Sequence, residues 1–452
     1  MDLPRQQLFT NKALVRLIVP LLLESAFGIL VGVVDSIMVS SVSEEAISGV
    51  SLVTNISGIL LNFSGSLAAG GAVVTSQYLG AGKRQDACRS AGQLITMTTA
   101  VSLLITAICL LFSRQLLTLF FGNIEQPVMD AAVTYFFYNA LSFPFLALCS
   151  AGTAIFRSRG NSKMSLYISL LRNAVNIAGN ALCIYGLKMG VEGVAIPTAV
   201  SRIVGAAVIM AAVLSPKEDI RPARSDIFSV HPGIMKRIVR IGMPSAFGNC
   251  FHQFGRVLML GMIAAFGTCQ IAANATANSV TGFVIICTTS FSTAAITVIG
   301  QCVGAGDAEQ LKLNFKKLML SSYLLFGAAS LLVYLLRYPI IGLFDSLSEE
   351  TVELTADLLL IYLIFGVVLH PLAFALPGCL QATNNSAYAM WVNTVAMLGF
   401  RMAVAWLLCT HWGWGAVGAW IAMGVDWTVR AACFSWFWFT GRWKKKCGMV
   451  HC

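Results

Sequence analysis

One acidic side chain lies deep in the first apolar segment of the chain. The segment from Pro20 to Ser40 reads PLLLESAFGILVGVVDSIMVS, with Asp35 in its second half. An isolated aspartate near the centre of a membrane helix costs about 3 kcal/mol, so such residues are paired or functional. The helical rise places Asp35 roughly 22 Å beyond Pro20, in the outer half of a bilayer if the chain begins in the cytoplasm. We therefore expect Asp35 to hold a proton, a cation or a basic partner.

The composition is typical of a polytopic helical membrane protein. Of the 452 residues, 57% are hydrophobic and 11% are charged, whereas soluble proteins carry roughly 25% charged residues. Long apolar runs follow one another along the chain, as in membrane helices and unlike the short alternating strands of a membrane β-barrel. The 13 cysteines are scattered and form no CxxC pair or zinc-type cluster. We expect free buried thiols and no cofactor.

Twelve spans are predicted, six on either side of a polar segment. The first six cover approximately residues 13–40, 46–78, 89–112, 127–156, 164–186 and 191–214. The second six cover approximately residues 237–266, 270–302, 312–336, 351–381, 386–410 and 415–440. The polar segment, Ser215 to Val230, has no apolar periodicity, so we expect it to be a solvated linker. The predicted organisation is an N-lobe (1–214), a cytoplasmic linker (215–236), a C-lobe (237–441) and a basic cytoplasmic tail (442–452).

Lysine and arginine are distributed unequally between the loops. Most of the 30 lie at the termini and in the even-numbered loops, where Lys83, Arg157 and Lys236 are examples. The positive-inside rule therefore places both termini in the cytoplasm. The net charge of +10 follows from the same distribution. We interpret it as a match to anionic membrane lipids and not as a sign of a nucleic-acid partner. We expect a monomeric, multi-pass protein of the inner (plasma) membrane.

The two halves repeat each other at an offset of 224 residues. The segment Gln77–Gly82 (QYLGAG) matches Gln301–Gly306 (QCVGAG), and each copy ends the second span of its half. Between the fifth and sixth spans the offset becomes 225, where Gly190 matches Gly415. Because six spans is an even number, both halves enter the membrane in the same direction, which favours a transporter with a central cavity and alternating access. The Gly-Ala-Gly segments lack the Lys-Ser/Thr of a phosphate loop and are interpreted as tight turns.

With these features the chain resembles the MATE (multidrug and toxic-compound extrusion) transporters over essentially its whole length. The resemblance rests on the first-span pattern from Pro20 through VDSIMVS into EEAISGVSL, the two QxxGAG loops, the repeat, the pair Asn176 and Asn180, and GVAIPT ending at Thr198. It implies an all-α membrane fold of two pseudo-symmetric six-helix bundles, nearer the DinF-like branch of the family. It also implies export of amphipathic drugs or toxic organic compounds coupled to Na⁺ or H⁺, without enzymatic chemistry.

The resemblance further implies a cation-coupling site in the N-lobe. The family's first-span carboxylate corresponds to Asp35, its fifth-span polar pair to Asn176 and Asn180, and its sixth-span threonine to Thr198. The two asparagines are four residues apart and share one helix face. One carboxylate with amide and hydroxyl oxygens suits Na⁺ at Asp35, and protonation of Asp35 is the competing occupancy. Amide pairs also join membrane helices by hydrogen bonds, and that alternative stays open.

The C-lobe carries different charges. His252, Arg256, Arg401 and Asp426 lie within its spans, and the offset of 224 residues places Arg401 opposite Ile177. One interpretation is a buried salt bridge of Asp426 with Arg256 or Arg401. The other is that an arginine contacts an anionic or zwitterionic group of the substrate. Some members of the family use acidic residues in the seventh and tenth spans, and these are absent here, so no carboxylate cation site is expected in the C-lobe.

Four further charged residues lie in or near the spans. Glu24 lies near the cytoplasmic entry, where we expect pairing with Arg16 or a role at the lobe interface, with a direct role in transport as the alternative. Arg172, Arg202 and Arg430 lie nearer the span ends and are expected to extend to the interface.

Two other functions are compatible with parts of this pattern. A flippase for a lipid-linked sugar or cell-envelope precursor would need lateral openings and several arginines for a pyrophosphate. A membrane enzyme that acts on lipids would need a hydrophilic loop with acid, base or metal-binding residues, and the polar linker offers no such set. The favoured interpretation is a transporter whose partners are a small organic substrate and membrane lipids.

Overall fold

The computed structural model describes residues 8–122, 125–216, 218–344 and 347–447. Within these ranges the chain is helical and contains no β-strand, so the predicted all-α class is confirmed. Residues 1–7 of the predicted N-lobe, residue 217 of the linker and residues 448–452 of the tail lie outside the described residues.

The helices of the first half are interrupted by short loops and one π-helical turn. They are α1 (Asn11–Ser40), α2 (Glu44–Gly80), α3 (Arg84–Leu111), α4 (Ser113–Phe121), α5 (Gln126–Leu141), α6 (Phe143–Ser158), α7 (Ser162–Ala181) and α8 (Glu192–Val213). The π turn Leu182–Gly186 continues α7, and the short helix α9 (Arg224–Phe228) lies in the linker.

The second half begins with two long helices and contains three π turns. Its helices are α10 (Pro232–Ala264), α11 (Thr268–Ala305), α12 (Ala308–Leu335), α13 (Arg337–Ile341), α14 (Glu349–His370), α15 (Leu376–Ala382), α16 (Ser386–Thr394), α17 (Met402–Ala405) and α18 (Gly415–Phe439). The π turns are Pro371–Ala375, Val395–Arg401 and Trp406–His411, and a 3₁₀ turn, Arg442–Lys446, follows α18.

The described helices account for twelve spans. By length and composition up to 9 of them can cross a membrane, if α5 and α6, which meet at a bend of 45°, form one span. The other three are α7 with its π turn, α10 and α18, which are less apolar because they contain residues such as Arg172, Asn176, Arg256, Asp426 and Arg430. These three spans are therefore recognised by their place in the twelve-helix order and not by hydropathy alone.

The repeated Gly-Ala-Gly segments end α2 and α11 in the same backbone conformation. Gly82 (φ 71°) and Gly306 (φ 69°) are both left-handed, a conformation that glycine adopts without a steric penalty. After the second turn, Asp307 caps α12 by accepting hydrogen bonds from the Glu309 and Gln310 amides at 3.1 and 3.0 Å. The prediction of tight turns at these segments is confirmed.

The chain forms two compact units. One contains the described residues between 11 and 246, and the other contains residues 8–10 with those between 247 and 447. The first unit thus includes the linker and the beginning of α10, whereas the sequence analysis ended the N-lobe at residue 214.

Close backbone packing attaches the beginning of α10 to α2. A Cβ atom on Gly70 would lie 2.8 Å from the Gly242 nitrogen, so the two helices touch through their backbones. Four residues before Gly242 is Ile238, which is fully buried. Arg237 donates a hydrogen bond of 2.8 Å to Gln77 Oε1. These contacts explain why the first unit extends into α10.

The linker packs on α3 and is not simply solvated. Gln93, which is fully buried, donates to the carbonyl oxygens of Asp226 and Ser229 at 2.8 and 2.6 Å and accepts from the His231 amide at 3.0 Å. Ile220 is only 1% exposed. Most described linker side chains are exposed or half-buried, but one glutamine of α3 bonds three of the linker's backbone groups, so part of the linker is packed against α3.

Candidate cation-binding site

Helices α1 and α7 pack side by side and bring the first two predicted site residues together. Asp35 lies in the second half of α1 and is partly exposed, whereas Asn180 on α7 is fully buried. The Asn180 amide nitrogen donates a hydrogen bond of 2.6 Å to Asp35 Oδ1. A donor to a carboxylate stabilises its charged form, so Asn180 supports ionised Asp35.

Asn176 lies one turn earlier on α7 and joins Asp35 to Thr198 on α8. With its nitrogen towards Asp35, the Asn176 amide donates to Asp35 Oδ1 and Oδ2 at 2.9 and 3.2 Å, and its oxygen accepts from Thr198 Oγ1 at 3.1 Å. With the amide reversed, the nitrogen donates to Thr198 Oγ1 at 3.1 Å, and the Thr198 hydroxyl donates to the Val194 carbonyl at 2.8 Å. The chain of polar groups is thus Asp35, Asn176 and Thr198.

The charge of Asp35 determines which orientation of the Asn176 amide is satisfied. Ionised Asp35 accepts hydrogen bonds only, so it selects the orientation with the amide nitrogen facing it. Protonated Asp35, or a cation bound to it, instead faces the amide oxygen, because that oxygen accepts a hydrogen bond or ligates a metal ion. The Asn176 amide can therefore offer either its nitrogen or its oxygen to Asp35, according to the charge there.

The oxygen atoms of this cluster fit a monovalent cation. Besides the Asp35 carboxylate and the Thr198 hydroxyl, Asn180 Oδ1 is buried and accepts no hydrogen bond. Hard cations prefer oxygen ligands of this kind. In the part of the chain that the structure describes, no cluster of three or more His, Cys, Asp or Glu side chains could hold a metal ion. A single carboxylate balances the charge of Na⁺ or of one proton.

A buried arginine adjoins the site, and the sequence analysis did not assign it there. Arg202 is 9% exposed, donates to Asn139 Oδ1 and to Ser142 Oγ at 2.7 Å each, and interacts electrostatically with Asp35. Arg172, by contrast, packs its side chain against Gly205, with Nε buried. The prediction that these arginines extend to the membrane interface is wrong for Arg202, which is buried and bonded to Asn139 and Ser142.

Glu24 pairs with Arg157 and not with Arg16. Arg157 Nη2 lies 2.7 and 2.9 Å from the two Glu24 carboxylate oxygens. Ser165 donates to Glu24 Oε2 at 2.7 Å and lies 3.1 Å from Arg157 Nε. This network joins α1, α6 and α7 one turn beyond Pro20, so it fixes the beginning of α1 while Asp35 lies near its end.

In the second unit, the predicted partners of Asp426 are wrong. Asp426 is fully buried, and its Oδ1 accepts a hydrogen bond of 2.8 Å from Arg430 Nε, four residues later on α18. Arg430 is 2% exposed and so does not extend to the interface as predicted. Its Nη2 lies 3.4 Å from His252 Nδ1 on α10. The ion pair and His252 together form a buried contact between α10 and α18.

Arg256 and Arg401 lie near this ion pair but do not share its carboxylate. Arg401 contacts Met397 Sδ at 3.8 Å, and its Nε is buried without a partner. Arg256 lies 3.4 Å from Gln253 Oε1 and is exposed. Both arginines interact electrostatically with each other, and Arg401 does so with Asp426. The second unit thus holds positive charge in excess at this place.

The π turn Val395–Arg401 changes the register of the repeat. A π turn closes over one residue more than an α turn, and α7, the corresponding helix of the first half, is α-helical at this place. The offset of 224 residues that holds before this helix is 225 after it. Arg401 therefore corresponds to Asn176, and not to Ile177 as a constant offset predicted.

His370 does not take the place of a cation-binding acid in the tenth span. It is 1% exposed, stacks on Phe326 and Phe374 at ring distances of 4.7 and 4.2 Å, and lies 3.1 Å from Thr288 Oγ1. The aromatic packing and the Thr288 contact explain its position.

The chain is similar to known proteins along nearly its whole length. The MatE family model matches residues 20–182 and again residues 244–407. The uncharacterized transporter YisQ of Bacillus subtilis is 25% identical, over 94% of this chain and 94% of its own length. The probable multidrug resistance protein NorM of Thermotoga maritima is 24% identical, over 96% of this chain and 94% of its own length. The solved outward-facing structure of a multidrug resistance MATE family transporter of the MOP superfamily matches with a TM-score of 0.89 at 21% identity, covering 96% of each chain.

These matches agree with the internal repeat and with the fold. The family model matches once in each half, and the two matched ranges are related by the offsets that the sequence repeat shows. The structural match supports the same two-lobe arrangement of twelve helices. The narrower assignment to the DinF-like branch stays a prediction. The chain belongs to the MatE family and is a multi-pass membrane transporter, not an enzyme.

Proposed function

We propose that this transporter exports amphipathic organic compounds in exchange for Na⁺ or H⁺, and that the coupling cation binds at Asp35. The observation that carries the proposal is the hydrogen-bonded set of Asp35, Asn176, Asn180 and Thr198. The relatives named multidrug resistance proteins support drugs and toxic compounds as the substrate class.

Coupling follows from the reversal of the Asn176 amide. Binding of a cation or proton changes the charge of the site by one unit, and the preferred α1–α7 hydrogen bond changes with it. A ligand shifts an equilibrium between two conformations by its difference in affinity for them. In this mechanism, Asp35 binds the cation on the outer side and the altered α1 contact favours the conformation that releases the substrate, so export proceeds by alternating access.

We also propose a membrane location, an orientation and an oligomeric state for the transporter. The transporter lies in the plasma membrane with both termini in the cytoplasm, because lysine and arginine are concentrated in the loops on that side. It acts as a monomer surrounded by lipid and needs no cofactor beyond the transported coupling ion.

The test is ethidium export by purified protein in liposomes, with a Na⁺ gradient and a pH gradient imposed in separate experiments. The wild type is compared with Asp35→Asn, which keeps the shape of the side chain and removes its charge. The matched control is Asp130→Asn, because Asp130 is an exposed aspartate at the beginning of α5.

We expect one of the two gradients to drive export by the wild type and by Asp130→Asn. Asp35→Asn should reduce gradient-driven export to the level of empty liposomes while the protein stays monodisperse in detergent. Full gradient-driven export by Asp35→Asn would overturn the assignment of the cation site. Export by the wild type that responds to neither gradient would overturn cation coupling itself.

A further inference from the structure

We propose that the second unit contains an oxyanion-binding site formed by Arg256 and Arg401, which takes a carboxylate group of the exported compound. The inference deepens the proposed export function, on which it rests, by naming the charge of one part of the substrate. It is carried by the excess of positive charge around the Asp426–Arg430 ion pair.

The charges at this place do not balance within the described residues. Asp426 supplies the carboxylate of the cluster. Its Oδ1 accepts a hydrogen bond of 2.8 Å from Arg430 Nε. Arg401 and Arg256 have only neutral neighbours at hydrogen-bonding range, a thioether and an amide oxygen. An arginine inside a membrane span is retained where it has a partner or a function, and an anionic ligand would supply the partner.

Two polar atoms in the cluster lack partners even though they are buried. They are Arg401 Nε and the second carboxylate oxygen of Asp426, Oδ2. A buried polar atom without a hydrogen bond is disfavoured and calls for an explanation. An oxyanion bound by the Arg401 guanidinium would give Arg401 Nε the hydrogen-bond partner that it lacks among the described residues.

The repeat places this cluster where the first half has its cation site. Arg401 corresponds to Asn176 after the π turn, and Met259 corresponds to Asp35. The acid is thus replaced by an apolar side chain and one amide by an arginine. The two halves offer sites of opposite charge at corresponding positions, so the second half is suited to an anion where the first is suited to a cation.

The surroundings favour an organic acid over a small inorganic anion. Phe374 lies beneath Arg430, with its ring centroid 5.7 Å from the guanidinium carbon, and its ring contacts that of His252 at 6.4 Å. Met397 lies against Gly255, where a Cβ atom would come within 2.5 Å of the methionine methyl group. Aromatic and thioether groups bind flat apolar surfaces, so a carboxylate attached to an aromatic body fits the cluster.

The experiment measures binding of rhodamine B and of its ethyl ester, which differ only in the carboxylate, by fluorescence anisotropy with purified protein in detergent. The variants are Arg256→Gln, Arg401→Gln and Arg401→Lys. The control is Arg240→Gln, an exposed arginine near the beginning of the same helix as Arg256. Thermal unfolding and gel filtration check that each variant is folded, and Arg256→Gln tests the proposal if Arg401→Gln does not fold.

We expect the wild type and Arg240→Gln to bind the acid roughly 10- to 100-fold more tightly than the ester, the range of a charge-assisted hydrogen bond. Arg256→Gln and Arg401→Gln should each reduce this ratio without weakening the ester, and Arg401→Lys should keep part of it because it keeps the charge. Equal binding of acid and ester by the wild type, or an unchanged ratio in both glutamine variants, would overturn the site. Displacement of rhodamine B by an equimolar amount of phosphatidylglycerol would also overturn it, because the oxyanion would then belong to a lipid. The measurement needs no ion gradient, so a failure of cation coupling does not affect it.

Discussion

Asp35 and Asn176 face each other across 2.9 Å on α1 and α7, and the charge on Asp35 decides which end of the Asn176 amide lies at that distance. The other end of the amide reaches Thr198. In the proposed mechanism, two hydrogen bonds therefore link the charge at Asp35 on α1 to Thr198 on α8.

Thr198 should be required for this link because its hydroxyl partners the amide in both orientations. Thr198→Val keeps the side-chain shape and removes a hydrogen bond of about 1 kcal/mol, which should raise the half-saturating cation concentration for export roughly fivefold. Thr198→Ser keeps the hydroxyl and should behave as the wild type. The measurement is export against cation concentration in liposomes. Equal effects of both substitutions would show that the methyl group, and not the hydroxyl, matters.

The ion pair of Glu24 and Arg157 should stabilise the attachment of α1. Both side chains are largely buried, at 20% and 26% exposure, so we expect Glu24→Gln to destabilise the fold by about 1.5–3 kcal/mol. A double-mutant cycle with Arg157→Gln, measured by thermal unfolding in detergent, gives the pairwise energy. Asp86→Asn removes the exposed pair with Arg89, at 36% and 38% exposure, and should cost less than about 1 kcal/mol. A coupling energy near zero for Glu24 and Arg157 would contradict the prediction.

Gly70 should be intolerant of any side chain. A Cβ atom there would meet the backbone of α10 at 2.8 Å, and backbone atoms cannot move aside as a flexible side chain can. Gly70→Ala should therefore destabilise the first unit by about 1–3 kcal/mol. Gly65 is the matched control on the same helix, because a Cβ atom there meets nothing within 4 Å. Gly65→Ala should be neutral or stabilising by up to about 1 kcal/mol, since alanine is the better helix former. Similar melting temperatures for the two variants would contradict the packing argument.

Gln93 should control access to the linker. Gln93→Leu removes three hydrogen bonds to linker backbone groups, so the linker should open more often. Arg224 is already exposed, but trypsin cuts a locally unfolded backbone, so we expect cleavage after Arg224 to accelerate at least about tenfold, as followed by gel electrophoresis and mass spectrometry. Gln126→Leu alters an exposed glutamine and should leave the cleavage rate unchanged. If the cleavage rate of Gln93→Leu equals that of the wild type, the linker is held by other contacts.

Short-range spacing predicted part of the site. Asn176 and Asn180 share a helix face four residues apart, and the structure brings both to Asp35. The same rule would have found two residues that the sequence analysis placed at span ends. Arg430 follows Asp426 by four residues and Arg202 follows Thr198 by four, so in each case one helix face carries both. The four-residue spacing therefore predicts buried partners for Arg430 and Arg202, whereas their nearness to the span ends predicts exposure at the interface.

Long-range contacts could not be predicted in this way. The partner of Glu24 is 133 residues away, and nothing in the local sequence distinguishes Arg157 from Arg16 as its partner. The packing of the linker on α3 depends equally on distant residues, because its polar composition is that of a solvated segment while Gln93 satisfies its backbone. The fold class and the repeat were predictable because apolar periodicity and the repeated Gly-Ala-Gly turns are properties of the sequence alone.

The π turn at Val395–Arg401 also bears on the history of the chain. Two halves that descend from one duplicated segment begin with equal lengths, and here the second half is longer by one residue within a single helix. That residue was gained or lost after the duplication, once the copies had begun to diverge. The π turn takes up the extra residue, so the helix beyond it keeps its orientation while the sequence is shifted by one, and Arg401 occupies the place that Asn176 holds in the other copy. Together with the arginine itself, this one extra residue places a positive charge in the second half where the first half has a neutral amide.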